Sequence, residues 1–208
     1  MKKFNFWKKK VNDLEQKLDE VYTYKNLLEE IKKEKEINKE LGRSKILLEN
    51  ENKLLISWLE KMPKKGTLLL DSDRDGDSTN TFFNKCSGKY PTIVLVKTTK
   101  DKRFGGYSSM PWKNKNGGFE SDKNNFIFSL DKKEKYKIIK PEKAIQTNSS
   151  YFAFGGGSDF YIQDKCKSHS FNYVNGATGT YEKIKNYDLN GGENYFTVSN
   201  YEVYQIEY

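Results

Sequence analysis

The chain changes its sequence pattern once, near residue 62, and this change constrains the fold more than any other feature. Residues 1–62 contain no proline and a single glycine, Gly42, and are dense in Leu, Glu, Lys and Asn. That composition is typical of a long solvated helix. The chain beyond consists of short aromatic or β-branched runs separated by Gly, Asn, Asp, Ser and Lys, which is typical of successive strands. The sequence therefore predicts a helical coiled coil over 1–62, a linker over 63–66 and a β-rich domain over 67–208.

Apolar residues in the first segment recur at the spacing of a coiled coil. A first ladder runs from Val11 to Leu28 in alternating steps of three and four, and a second runs from Leu41 to Met62 in steps of seven. Thirteen residues separate Leu28 from Leu41, one fewer than two heptads, so the register breaks between the ladders. The seam residues of the predicted coiled coil are Leu14, Leu18, Val21, Leu28, Leu41, Leu48, Asn52, Leu55 and Leu59.

Three arrangements are compatible with these ladders. The helix can pair with a second copy of the chain over residues 11–62, where a buried Asn52 amide fixes the register and favours a dimer. It can also fold back as a hairpin, in which Gly42 ends one helix and Ser44 caps the next. A solvated, partly frayed helix is the third alternative. We expect pairing with a second copy, because both ladders are too narrow and too polar to form a globular core.

The second segment holds most of the aromatic residues, 24 of 30, which is enough bulk for a core between packed sheets. One helix interrupts the strands: in STNTFFNKCSGK, Ser78 or Thr79 caps it, and Phe82, Phe83 and Cys86 face inward. We expect an α+β fold that is mainly β. Two antiparallel sheets form a sandwich with short flanking helices, preceded by the long coiled-coil helix.

An acidic turn, DSDRDGD, begins at Asp71 like the calcium-binding loop of an EF-hand. That loop requires a bidentate Glu at its twelfth position, and the twelfth residue here is Phe82. The strand-like run GTLLL stands where the entering helix belongs. We therefore interpret the segment as a solvated acidic turn that can cap the following helix, and predict no metal site.

Residue combinations that suit catalysis are scarce. His169, the single histidine, follows Cys166 by three residues, but a Cys–His nucleophile also needs an orienting third group and an oxyanion site. Together with Cys86 these residues give three soft ligands, and structural zinc needs four. The glycine runs FGGY and FGGGSDF lack the phosphate-binding pattern, which favours a steric role. We predict no catalytic residue and no cofactor.

The formal net charge of +8 requires acidic partners to be considered. The excess is spread evenly, which is more typical of a soluble surface than of a phosphate-binding face. The lysine-rich run over residues 132–143 is interpreted as an edge strand. Phe4, Phe6 and Trp7 lie among lysines and could rest on an anionic membrane, but an exposed helix end is favoured. Without a transmembrane run or a secretory signal, we expect a cytoplasmic or else nuclear protein.

The order of motifs in the second segment resembles the TLDc domain family. Its members typically show an apolar pair, an RDG turn and a short helix with aromatics and a cysteine. A strand after GPT follows, and then FGG, PW, F-FSL, triple-glycine and EV motifs. The match runs from about Thr67 to Tyr208. The corresponding residues here include Arg74, Asp75, Gly76, Cys86, Phe104, Gly105, Gly106, Trp112, Gly155, Gly156, Gly157, Asp159 and Glu202.

The resemblance implies a two-sheet sandwich without an established catalytic centre. It also implies a role in protection against oxidative damage and, as for several members, binding and regulation of the vacuolar proton-pumping ATPase. Many members carry a histidine in the short helix, where this chain has Phe83 or Asn84, so any role of that histidine does not transfer. The leading hypothesis is a non-enzymatic protein-interaction module that oligomerises through residues 11–62. The alternative is a basic, dimeric nucleic-acid-binding regulator.

Overall fold

The computed structural model of the protein describes residues 2–40, 44–113, 118–182 and 184–208. The chain divides into two units, Met1–Lys39 and Glu40–Tyr208. The first unit is helical and the second is built mainly from strands, so the change of sequence pattern corresponds to a change of structure. The boundary between them lies earlier than the predicted linker over 63–66.

One helix, α1 (Lys2–Glu40), accounts for the first unit. Its 39 residues contain neither proline nor glycine, and they confirm the long helix predicted at the N-terminus. Leu14 and Leu18 of the first ladder expose 58% and 69% of their area. Leu41 and Gly42, where the second ladder and the alternative hairpin begin, lie outside the described residues. None of the described helices has the length and apolar character needed to cross a membrane.

The second unit contains further helices and two sheets. Its α-helices are α2 (Glu51–Ser57), α3 (Ser72–Asp75) and α4 (Thr79–Cys86), and short 3-10 helices lie at Pro141–Lys143 and Asp188–Asn190. The strands, in chain order, are β1 (Lys65–Asp71), β2 (Thr92–Thr98), β3 (Arg103–Ser108), β4 (Phe119–Glu120), β5 (Phe126–Ser129), β6 (Glu134–Lys137), β7 (Ile145–Asn148), β8 (Tyr151–Phe154), β9 (Phe160–Gln163), β10 (Asn172–Val174), β11 (Tyr195–Phe196) and β12 (Val198–Glu207).

These strands form two six-stranded sheets. The first sheet has the order β1-β12-β2-β3-β5-β6, and the second has the order β11-β10-β9-β8-β7-β4. Every pairing between the named strands is antiparallel. The predicted antiparallel sandwich is thereby confirmed. Strand β6, from the lysine-rich run, lies at an edge of the first sheet, where lysines discourage pairing with other chains.

Aromatic rings from both sheets meet in the core between them. The Phe104 ring of β3 packs edge-on against Phe160 of β9 and Phe196 of β11, with centroids 5.4 Å apart in both pairs. Phe82 of α4 stacks on Phe152 of β8 at 3.9 Å. Burial of these rings removes a large apolar area from water, and this burial is the main source of stability in such a sandwich.

Helix α4 begins and packs as the sequence predicts. The Ser78 hydroxyl caps it by accepting a hydrogen bond from the Thr81 amide at 3.1 Å. Phe82, Phe83 and Cys86 are all buried. The helix therefore connects the acidic turn to the core through one apolar face.

Residues 44–62 do not continue the N-terminal helix, and here the sequence prediction is wrong. Only the seven residues of α2 are helical, and Asn50 precedes them in the left-handed conformation with φ 71°. Leu55 and Leu59 of the predicted seam are buried, with 2% and 9% of their area exposed, whereas Leu48 exposes 61%. Two seam residues thus pack within their own unit and not against a second chain.

The outer face of the first sheet explains this difference, because it is apolar and requires cover. Leu55 lines a small cavity together with Ile93, Leu95 and Tyr204 of that sheet. A heptad repeat of leucines indicates an apolar stripe, but it does not identify the surface that covers the stripe. We call residues 44–62 the covering segment; it belongs to the β domain.

Candidate functional site

The acidic turn after β1 is built around the short helix α3. Asp71 caps this helix, because its side chain accepts a hydrogen bond from the Asp73 amide at 3.0 Å. The Asp75 carboxylate at the other end accepts one from the Asp71 amide at 3.0 Å. Gly76 follows with φ 96°, a conformation that L-residues with side chains rarely adopt. The RDG signature, Arg74 to Gly76, therefore closes a compact turn.

Cations neutralise the carboxylates of this turn. Lys45 Nζ lies 2.8 Å from Asp71 Oδ2, while Arg74 and Lys85 bind Asp75 at 2.7 and 2.9 Å. The Arg74 guanidinium holds the pKa of the Asp75 carboxyl well below its usual range. Among the described residues, no group of His, Cys, Asp and Glu side chains is arranged to hold a metal ion. The geometry suits an ion-paired turn.

Two glycines on β3 permit close packing on both faces of the first sheet. A Cβ at Gly105 would lie 2.0 Å from the backbone oxygen of Val94. A Cβ at Gly106 would lie 2.5 Å from the ring of Phe154 in the opposite sheet. These distances are far below van der Waals contact, so any side chain would displace backbone or ring. The FGG motif therefore has a steric function at this position.

Cys86, the last residue of helix α4, is buried, and Trp112 is buried beside this helix. The Trp112 indole nitrogen donates a hydrogen bond to the Thr92 hydroxyl at 2.8 Å, and the indole packs edge-on against Phe82 at 5.2 Å. Burial raises the pKa of the Cys86 thiol to about 12. At neutral pH this thiol is protonated and behaves as a small apolar side chain.

The glycine loop over 155–159 encloses a buried carboxyl group. Gly155 adopts φ 86°, and a Cβ there would lie 1.8 Å from Asp159 Oδ2. The same oxygen accepts a hydrogen bond from the Thr178 hydroxyl at 2.6 Å, and the Gly156 amide donates to the Thr180 hydroxyl at 3.0 Å. Burial raises the pKa of the Asp159 carboxyl. Gly155 and Asp159 therefore depend on each other for their conformation.

Glu202 fastens the beginning of the covering segment to the first sheet. It is 1% exposed on β12, and its carboxylate accepts hydrogen bonds from the Ser44 hydroxyl at 2.5 Å and the Lys45 amide at 2.8 Å. The Ser44 oxygen also accepts from the Ile46 and Leu47 amides, both at 3.0 Å. A family-signature residue thus holds the N-terminal edge of the β domain.

A largely buried ion pair holds the middle of the covering segment on the first sheet, and the sequence did not reveal it. Arg103 of β3 binds both oxygens of Glu51 in α2 at 2.6 and 3.0 Å. The guanidinium also binds Asp131 at 3.1 Å. Glu51 and Arg103 lie 52 positions apart in the chain, and no local pattern relates them. Further along the segment, the Trp58 ring packs against Phe128 at 5.5 Å.

Cys166 and His169 do not meet as a nucleophile and its base. Cys166 has no exposed area, and burial raises the pKa of its thiol. The His169 Nε2 atom lies 2.7 Å from the Asp164 carbonyl oxygen, and its Nδ1 atom accepts a hydrogen bond from the Phe171 amide at 3.2 Å. Both ring nitrogens therefore bond to backbone groups, and the thiol is buried and protonated.

A row of tyrosines crosses the outer face of the second sheet, and it was not identified from the sequence. Tyr161 of β9, Tyr173 of β10 and Tyr195 of β11 lie opposite one another in register, and Tyr151 of β8 lies beside Tyr161. Consecutive ring centroids are 5.5, 5.9 and 5.3 Å apart. The alternation of these tyrosines with core residues predicts that each faces outward. Their alignment across neighbouring strands depends on the register of the sheet, which the local sequence does not specify. We call these four residues the tyrosine row.

The structure distributes the family-signature residues over several places and does not gather them in one cleft. Arg74 is exposed in the acidic turn, and Gly157 is exposed in the glycine loop, where a Cβ would lie 2.7 Å from the Thr178 methyl carbon. The signature side chains with at most 1% of their area exposed are Cys86, Phe104, Trp112, Asp159 and Glu202.

Comparison with known proteins gives a family match over most of the chain. The model of the family described as TLDc domain matches residues 41–207. This match begins close to the structural boundary between the two units, and it includes the whole covering segment.

Several curated proteins are similar to parts of the chain. MTOR-associated protein MEAK7 of Danio rerio is 36% identical over 63 residues, which cover 30% of this chain and 14% of that protein. TBC1 domain family member 24 of Xenopus laevis is 32% identical over 117 residues, which cover 51% of this chain and 21% of that protein. The protein of the same name from Xenopus tropicalis is 32% identical over 78 residues, 36% of this chain and 14% of that protein. The chain thus spans about a fifth or less of the length of these relatives.

Proposed function

The chain belongs to the TLDc domain family, and from this premise we propose that residues 41–207 bind another protein and do not turn over a substrate. The observation that carries the proposal is the position of Cys166 and His169. The thiol is buried in the core, and the imidazole is bonded to neighbouring backbone groups. A nucleophile needs an accessible thiolate and a free base, and this pair offers neither.

The proposed partner is the vacuolar proton-pumping ATPase, and the proposed cellular role is protection against oxidative damage. Both come from the family resemblance. The name of one relative, MTOR-associated protein MEAK7, describes an association with another protein, which supports a binding function in general terms. The proposed place of action is the cytoplasm, or else the nucleus.

A capture experiment tests this proposal. The full chain is immobilised and incubated with cell extract and, separately, with purified peripheral subunits of the ATPase. We expect the wild-type chain to capture ATPase subunits, and the C166A/H169A double variant to capture the same amount. A folded wild-type chain that captures no protein from either source would contradict the proposal.

We further propose that the first apolar ladder pairs α1 with α1 of a second copy. Leu14, Leu18, Val21 and Leu28 follow coiled-coil spacing and expose between 40% and 69% of their area in the isolated chain. Because the covering segment packs on the β domain, the proposed pairing is limited to the seam of α1. Dimerisation would give each assembly two copies of the binding domain and so raise its avidity for a partner with repeated sites.

Nucleic-acid binding is the second candidate function, and the net charge of +8 favours it. Part of the positive charge is already engaged, since Lys45, Lys85, Lys100 and Lys132 pair with carboxylates. Binding to random-sequence DNA is therefore expected to be weak. A titration over increasing salt would favour this function if log affinity fell steeply and linearly with log salt concentration.

A further inference from the structure

The tyrosine row lies on the sheet opposite to the one that the covering segment protects. Tyr195 exposes 51% of its area, and the other three tyrosines of the row are partly exposed. Within the described part of the chain, none of the four hydroxyl groups has a hydrogen-bond partner. The row therefore presents apolar ring surface together with free donors and acceptors. Rows of partly exposed aromatic residues are characteristic of protein recognition surfaces.

The strands that carry the row, β8 to β11, and the neighbouring strand β7 have no charged residue at their outward positions. The outward positions of β7, β8 and β9 other than the tyrosines are Gln146, Asn148, Ala153 and Gln163. Charged residues make up 32% of the whole chain, so this face differs from the average surface. An anionic ligand would find no cation at these positions. The complementary ligand is uncharged.

The size of the row favours a short segment over a second folded copy. Four partly exposed tyrosine side chains offer on the order of 400 Å². A stable dimer interface buries about 800 Å² on each partner. An aromatic surface of about half that size suits a linear segment that places small rigid groups on the rings.

We propose that the tyrosine row is the docking surface for a proline-rich segment of the protein partner in the polyproline II conformation. Such a segment has no internal hydrogen bonds, so its carbonyl groups are free to accept from tyrosine hydroxyls. Proline rings pack flat on aromatic rings, and the preformed helix loses little conformational entropy on binding. The inference rests on the proposed interaction function and names the surface that performs it.

Titration of the full chain with a ten-residue polyproline peptide tests the inference. We expect binding with a dissociation constant on the order of 100 μM, a value ordinary for short recognition segments. In amide NMR spectra of the wild-type chain, the largest chemical-shift changes on addition of the peptide should belong to residues of β8 to β11. Tyr161→Ser and Tyr173→Ser should each weaken binding about tenfold, whereas Tyr24→Ser on α1 should leave it unchanged.

A ring-preserving variant separates recognition from folding. Tyr161→Phe keeps the ring contacts with its neighbours, so we expect a wild-type melting temperature and a smaller loss of binding than in Tyr161→Ser. If both variants bind like the wild type, or if the shifts lie outside β8 to β11, the inference is overturned. It is also overturned if the wild-type chain does not bind the peptide at millimolar concentration. The same holds if oligothymidylate changes the amide chemical shifts of the row and the peptide does not. Self-association of the chain that Tyr161→Ser abolishes would overturn the inference as well.

This result is separable from that of the capture experiment. If the chain captures ATPase subunits but does not bind the peptide, only the docking inference is overturned. A chain that binds the peptide through the row but captures no protein contradicts the proposed function and supports the docking surface.

Discussion

Single residues decide the conformation of the two signature turns. In the glycine loop, the left-handed Gly155 leaves room for the Asp159 carboxylate, with 1.8 Å between a hypothetical Cβ and Oδ2. In the acidic turn, Asp75 accepts a backbone hydrogen bond and two cationic ones. In both turns the acidic side chain bonds to neighbouring groups of the protein.

Replacement of Gly155 by Ala tests the first of these contacts. We expect the free energy of unfolding to fall by about 3 kcal/mol or more, because the methyl group meets a carboxylate that cannot move freely. Gly88→Ala is the matched control, since Gly88 also has positive φ, 73°, but nothing lies within 4 Å of its Cβ position. Its loss should be about 1 kcal/mol from backbone strain alone. Urea denaturation measures both values, and equal losses would contradict the steric explanation.

Replacement of Asp75 by Asn tests the ion-paired turn through its pH dependence. The folded-state pKa of Asp75 lies below the unfolded value of about 3.9, so the ionised carboxylate stabilises the fold above that pH. At pH 7 the variant should lose about 1–3 kcal/mol of unfolding free energy. As the pH falls below about 4 this difference should shrink, because the wild-type carboxylate becomes protonated, first in the unfolded state. Denaturation at pH 7 and pH 3 checks this, and a constant difference would argue against the pairing.

At the scale of elements, the sequence correctly predicts helices and strands that depend on a local pattern. It does not predict the structure of segments that depend on contacts with distant parts of the chain. Helix α4 is predictable because its cap and its apolar face lie within nine residues, from Ser78 to Cys86. The covering segment is not, because its leucines have the same spacing whether they meet a partner helix or a sheet. The Glu51–Arg103 pair and the tyrosine row join distant positions, and their register is set only when the sheets assemble.

Two leucines of the covering segment should contribute very differently to the stability of the β domain. Leu55→Ala should lower the free energy of unfolding by about 2–5 kcal/mol, because Leu55 is 2% exposed over the first sheet. Leu48→Ala should change it by less than about 0.5 kcal/mol, because Leu48 exposes 61% of its area. Thermal and urea unfolding of the two variants measure the contrast. Equal effects would mean that the segment does not pack as described.

Helix α1 should self-associate through its apolar ladder. Leu18→Asp introduces a charge in the middle of the seam, so we expect a dimeric wild-type chain and a monomeric variant in sedimentation equilibrium at tens of micromolar. Asn26→Asp, outside the ladder, is the control and should remain dimeric. The melting of the β domain should be the same in all three proteins. A monomeric wild-type chain would remove the coiled-coil proposal and leave the β domain unaffected.

At the scale of the whole molecule, the chain combines an N-terminal helix with a β-sandwich whose signature residues mainly build the fold. The two cysteine thiols are buried, and the histidine bonds to the backbone around it. One sheet is covered by a segment of the same domain, and the other carries the tyrosine row on its outer face. This arrangement agrees with the proposed binding function, in which activity does not require Cys166 or His169.

Survival of peroxide-treated cells tests this claim most directly. Cells that lack the protein are complemented with the wild-type chain or with the C166A/H169A double variant, at matched abundance. The purified variant must first show the wild-type strand content and cooperative unfolding, since removal of a buried thiol costs some stability. We predict that the double variant restores survival to the level of the wild type. A folded double variant that binds the ATPase subunits normally and yet gives no protection would contradict a function by binding alone.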